Sequence, residues 1–139
     1  MIAFLDSSVI LRLVLGEPKP FEALAEMKET VASALCRVEA LRTLDRLERR
    51  GSIRPTEVVQ RRRDAELLLS RCEVVRLDDD TLAYAAGTFP VPLRTLDALH
   101  LSSAALFRAR AATDVVFVTH DEELGRAARA LGFGVLGVQ

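Results

Sequence analysis

Ile2-Ala3-Phe4-Leu5-Asp6-Ser7-Ser8-Val9-Ile10 is the stretch that decides the fold. Four consecutive apolar residues make a strand buried on both faces, which belongs in a parallel sheet covered by helices. An acid follows at once, and the serines lead into a helix predicted over 8–15, stopped by Gly16 and Pro18. A second passage repeats the pattern. Val116-Phe117-Val118-Thr119-His120-Asp121 ends a strand predicted over 115–118 and opens a helix predicted over 121–131. Sites in parallel folds lie beyond the carboxyl ends of the strands, so Asp6 and Asp121 are expected at one rim. Either acid alone also suits a helix N-cap.

The alternation continues outward. A helix is expected over 20–28 and a strand over 30–32. Ser33 is expected to cap a long helix that runs to Arg50 and stops at Gly51. Leu35, Val38, Leu41, Leu44 and Leu47 recur at three-residue steps and are read as its core stripe. Pro55 opens a helix over 55–70, a strand follows over 74–77, and Asp78-Asp79-Asp80 lead into a helix through position 86. Two prolines make 87–92 a loop, a helix spans 95–110, and 134–136 is a short last strand. Short apolar strands alternating with helices imply an α/β fold with a mostly parallel sheet.

At 139 residues, 50% hydrophobic and 28% charged, the chain is expected to be one domain over 1–139 with an ordinary apolar core. This composition excludes a disordered or low-complexity protein. Asp6 and Arg12 interrupt the apolar start, so neither a signal peptide nor a membrane span is expected. Cys36 and Cys72 are too few for a disulfide scaffold and lack C-x-x-C spacing, which suits a reduced, cytoplasmic setting. The formal net charge of −1 hides an uneven distribution. Positions 37–63 carry nine arginines against four acids, an excess of five positive charges. Such a segment serves a polyanion, an acidic partner, or solvent alone.

Two further acids stand among apolar neighbours: Glu39 in Val38-Glu39-Ala40-Leu41 and Asp97 in Leu96-Asp97-Ala98-Leu99. Burying an unpaired carboxylate costs several kcal/mol, so each needs an arginine, a hydrogen-bond network or a metal. Arg94, three residues before Asp97, is one such partner. Four carboxylates gathered at one rim repel one another, and a divalent cation relieves that conflict. Carboxylate ligation without a His/Cys cluster points to Mg²⁺ or Mn²⁺, ions that serve phosphoryl chemistry. His100 is read as a satisfied imidazole and His120 as a loop residue. Other Asp-centred folds fit poorly. A phosphoaspartyl hydrolase needs a second acid where Ser8 stands, and it and a receiver need a lysine at a later strand end, whereas Lys19 and Lys28 are the only lysines. No glycine-rich turn follows the first strand, and no phosphate-cradling G-x-x-x-x-G-K exists.

The opening Ile2-to-Ile10 stretch, the Ser33-to-Glu39 stretch ending in Glu39-Ala40, Leu93-Arg94-Thr95-Leu96-Asp97-Ala98-Leu99-His100-Leu101, and Val116-to-Asp121 together resemble a PIN-domain ribonuclease. The likeness is nearest to the VapC toxins of bacterial toxin–antitoxin pairs and covers the whole chain in order. It implies a three-layer α/β/α domain with a mainly parallel five-stranded sheet. It maps an acidic quartet onto Asp6, Glu39, Asp97 and Asp121, a hydroxyl onto Thr119 and a small polar residue onto Ser7. It further implies Mg²⁺- or Mn²⁺-dependent cleavage of single-stranded RNA (tRNA or mRNA) that leaves 5′-phosphate and 3′-hydroxyl ends, a homodimer, and a small antitoxin as inhibitor. On this reading Asp6, Asp97 and Asp121 hold the metal, Glu39 orients or deprotonates water or binds a second ion, and Thr119 holds a water or a phosphate oxygen. The competing reading is a non-catalytic α/β module that binds a partner or RNA, its acids only capping helices and pairing with arginines.

Overall fold

A computed structural model describes residues 1–17, 24 and 26–139. The elements run β1 (Ile2–Leu5), α1 (Ser7–Leu15), β2 (Glu29–Ser33), α2 (Leu35–Arg49), α3 (Pro55–Ser70), β3 (Glu73–Val75), α4 (Asp79–Ala85), α5 (Thr95–Ala111), β4 (Val115–Val118), α6 (Glu122–Ala130) and β5 (Gly134–Leu136). The strands form one sheet in the order β3-β2-β1-β4-β5, and every pairing is parallel. The helix expected over 20–28 falls largely outside the described residues, and Met27 and Lys28 are not helical.

Alternation along the central strands sorts their side chains between two cores. Ala3, Leu5, Ala32 and Val118 pack with Val9, Ile10 and Val14 of α1, Leu41 and Leu44 of α2, and Leu69 of α3. Ile2, Phe4, Val31, Val115 and Phe117 face the other way, onto Leu101 of α5 and Leu124 of α6. Phe4 and Phe117 stack at 6.1 Å, and Phe133 tilts against Phe117 at 5.9 Å. Helices on both faces of a parallel sheet give the expected three layers.

Three local expectations need correction. Ser33 does not cap α2: it is the last residue of β2, the cap position falls to Ala34 without a side-chain bond, and the Ser33 hydroxyl turns to His100 instead. The buried stripe of α2 is Cys36, Ala40, Leu41 and Leu44, and Val38 is 54% exposed. Three-residue steps fall short of the helical period of about 3.6, so five residues so spaced precess around the helix and cannot all face one core. Finally, β3 ends at Val75, not at position 77. Its partner β2 turns into α2 after Ser33, and Ala34 N–H bonds the Val75 carbonyl as the last contact, so Arg76 and Leu77 meet no strand. Gly16 and Gly51 do end α1 and α2 as expected, each in the left-handed region at φ 69° and 72°.

Strand β1 lies at the centre. The chain first builds outward through β2 and β3, then returns across the sheet to build β4 and β5 on the other side of β1. The order therefore reverses between β1 and β4, and a crevice outside their carboxyl ends is where such folds place ligands. Leu5 is in register with both Ala32 and Val118, so Asp6, Ser33 and Thr119, each the next residue along, come together at that rim.

Candidate active site

Asp6 leaves β1 in an extended conformation (φ −82°, ψ 159°) and makes no side-chain cap bond to α1. Its buried carboxylate is held by hydroxyls instead. Ser8 Oγ donates to Oδ2 at 2.6 Å, Thr119 Oγ1 donates to Oδ2 at 2.8 Å, and Ser7 Oγ donates to Oδ1 at 3.3 Å. Thr119, itself buried, accepts from the Asp121 N–H at 3.0 Å, so one hydroxyl ties the end of β1 to the end of β4. Asp121 is an N-cap as well as a rim acid, because its Oδ1 accepts from Leu124 N–H at 3.0 Å.

α5 and α2 bring the other side of the site. His100, one turn after Asp97 on α5, is buried between the two helices and the sheet. Its Nε2 bonds Glu39 Oε1, its Nδ1 lies 3.0 Å from Ser33 Oγ, and Asp6 Oδ1 is 3.9 Å from Nε2. Burial works against a charged ring here. The Cys36 sulfur beside it, the bond to Glu39 and the charge of Asp6 outweigh that cost and push the imidazole from 6.5 up to about 10. With both nitrogens protonated, His100 donates to Glu39 and to Ser33. His100 thus is a satisfied imidazole, as expected, but one that joins two of the four acids. Its spacing of three from Asp97 was the available signal. Ser8 was not singled out as a site residue, yet it makes the shortest bond to Asp6.

Asp97 has a different environment. It is half-buried, and among the described residues no hydrogen bond or ion pair engages its carboxylate; Arg94 does not reach it. Burial first, then the charges of Asp121 and Asp6, hold its carboxyl above the usual range; Glu39 adds to the effect and His100 opposes it. Asp97 therefore senses Asp6, Glu39 and Asp121 across the rim, with His100 alone acting in the other direction.

Among the described residues, no three Asp, Glu, His or Cys side chains already form a closed set around one point that could hold a metal ion. The chemistry of the donors nonetheless fits a hard divalent cation. They are carboxylate oxygens, and Asp97 is a half-buried acid with repelling neighbours and no counter-charge of its own.

Comparison with known proteins agrees with this architecture. A family model described as PIN domain matches residues 3–130. Ribonuclease VapC46 of Mycobacterium tuberculosis is 34% identical over 138 residues, covering 96% of this chain and 95% of the relative. Among solved structures, VapBC2 from Rickettsia felis bound to a DNA fragment from its promoter superposes with a TM-score of 0.68 at 16% identity, over 97% of each chain. A toxin–antitoxin complex from Klebsiella pneumoniae does so with a TM-score of 0.65 at 15% identity, over 99% of this chain and 95% of that one. At these identities the two structures speak for the fold.

Proposed function

The chain belongs to the PIN-domain family, and from that premise we propose that it is a divalent-metal-dependent endoribonuclease cutting single-stranded RNA, the toxin of a toxin–antitoxin pair. Similarity to a ribonuclease over nearly the full length of both chains supports the activity, and likeness to a toxin–antitoxin complex supports a small antitoxin as inhibitor. The observation that carries the reading is Asp97, left without a counter-charge beside Asp6, Glu39 and Asp121. A cytoplasmic location, one domain over 1–139 and a homodimer complete the proposal. Among the described residues, no helix is long and apolar enough to cross a membrane.

Asp6, Asp97 and Asp121 would hold Mg²⁺ or Mn²⁺. When bound, the ion supplies Lewis acidity at the phosphodiester and eases proton loss from water. The residues of the chain do the rest. Ser7, Ser8 and Thr119 fix the Asp6 carboxylate against rotation, and Thr119 sets its distance from Asp121. Because its hydroxyl is buried and engaged, Thr119 acts by positioning these two acids. His100 engages Glu39 Oε1 and so aims the carboxylate, leaving Oε2 as the atom that would take a proton from the attacking water.

Asp97→Asn keeps the size of the side chain and removes its charge. The variant is expected to fold like the wild type, by circular dichroism, and to fall to the no-protein background in Mn²⁺-dependent cleavage of single-stranded RNA. Cleavage close to wild type in Asp97→Asn, prepared in parallel, excludes the proposed centre. An inert wild type that binds RNA or a partner supports the non-catalytic module instead.

A further inference from the structure

The arginine surplus of 37–63 divides sharply once partners are known. Arg37 forks onto Glu66, Arg42 and Arg49 share Asp45, Arg54 meets Glu57, and Arg61 meets Asp64. Arg46, like Arg50, Arg62 and Arg63, meets no carboxylate among the described residues; its one polar partner there is Thr43 Oγ1, a neutral hydroxyl at 3.0 Å. It therefore keeps a full uncompensated charge. Arg42 and Arg49 together hold two charges against the single one of Asp45, so this stretch of α2 stays positive.

Arg46 also occupies a special place. Glu39, Arg42, Thr43 and Arg46 stand at i, i+3, i+4 and i+7, one face of α2. That face lines a groove of about 250 Å³ whose apolar wall is Leu35 and Val38 together with Leu96 of α5, the last two 54% and 46% exposed. Glu39 lines the groove at one end of this face, so the groove borders the acids and runs along α2 to Arg46. The helical rise of about 1.5 Å per residue sets Arg42 and Arg46 roughly 4.5 and 10.5 Å along the axis from Glu39. Those positions suit phosphates that flank one held at the acids.

We propose that this groove is part of the track of the single-stranded RNA substrate, with Arg46 binding a backbone phosphate and the aliphatic wall of Val38 and Leu96 lying under a base. The inference rests on the ribonuclease reading of the acids. Charge favours a polyanion: a cationic stripe continuous with the reaction centre matches a chain carrying one negative charge per nucleotide. Phosphate contacts fix register without reading sequence, so Arg46 contributes affinity for any single strand.

The test uses the full chain in the Asp97→Asn background with Mg²⁺ present, so that bound RNA stays intact, and a mixed-sequence 12-mer RNA as probe. Adding Arg46→Ala is expected to weaken binding on the order of tenfold, the scale of a lost charge-assisted contact. It should also flatten the slope of log affinity against log salt by about 0.7, the value for one single-strand phosphate. Arg63→Ala removes an equally exposed arginine that lies outside the groove, and is expected to match its parent in both readouts. Equal slopes for parent and Arg46→Ala overturn the track. So does an Arg46 dependence confined to capture of an acidic helical peptide, which assigns the groove to a protein partner. Cleavage persisting in the Asp97→Asn background overturns the reading of the acids and this inference with it, whereas equal slopes in an inert background overturn the track alone.

Discussion

His100 shows how a single residue changes meaning between sequence and structure. Asp6, Glu39, Asp97 and Asp121 were picked out in the sequence as acids at strand ends or among apolar helical neighbours. The partner of Glu39 was not: the His100–Glu39 bond spans 61 positions, and only the meeting of the first turns of α2 and α5 at the end of the sheet reveals it. The same holds for Ser33, which reads as a cap from its neighbours and becomes a hydrogen-bond partner of His100 once β2 runs one residue longer. A pH prediction belongs at this scale. In metal-free protein the ring is raised from 6.5 to about 10, so the folded state holds a proton that the unfolded chain has lost. Its stabilising effect is complete below pH 6.5 and is lost as pH rises through 10, at no more than about 1.4 kcal/mol per pH unit. Thermal melts of metal-free wild type and His100→Gln should show the wild-type advantage narrowing steadily from pH 6.5 to 9.5. A constant difference across that range would mean His100 acts through shape alone.

At the scale of elements, type and order were readable and facing was less so. Six of the helices and all five strands lie where apolar runs, caps and breakers put them, with boundaries displaced by at most two residues. β3 is shorter than its apolar run because a strand ends where its neighbour leaves the sheet, which no local signal encodes. In α2 the three-residue repeat of leucines and valine is present in the sequence but is no stripe, since a true core face alternates steps of three and four. The groove inferred above exists because of that difference: Val38, released from the core, forms its wall. Substitution measures the distinction directly. Leu44→Ala, at a fully buried position, is expected to cost about 2–5 kcal/mol in urea unfolding. Val38→Ala is expected to stay within about 0.5 kcal/mol, as for an exposed site. Similar losses for the two would restore the leucine repeat as the buried face.

The whole molecule reconciles near-neutrality with a polyanionic substrate. A net charge of −1 conceals four acids toward the rim and a positive face on α2, and one bound divalent ion would bring the total to +1. The fold class followed from alternating elements, whereas the strand order β3-β2-β1-β4-β5, which puts the ends of β1 and β4 side by side, became visible only in three dimensions. Cation binding should stabilise the fold by mass action. At a hundred times Kd the gain is about 2.7 kcal/mol, or roughly 8 °C in Tm for a chain of this size. The most direct test of the metal-dependent centre follows the Tm and the rate of single-stranded RNA cleavage through one Mn²⁺ titration of the partner-free protein. Both should rise together with a common midpoint, return to baseline on chelation, and be absent in Asp97→Asn. Cleavage that survives chelation undiminished, or that saturates while the Tm of wild type and Asp97→Asn rises equally, would contradict it.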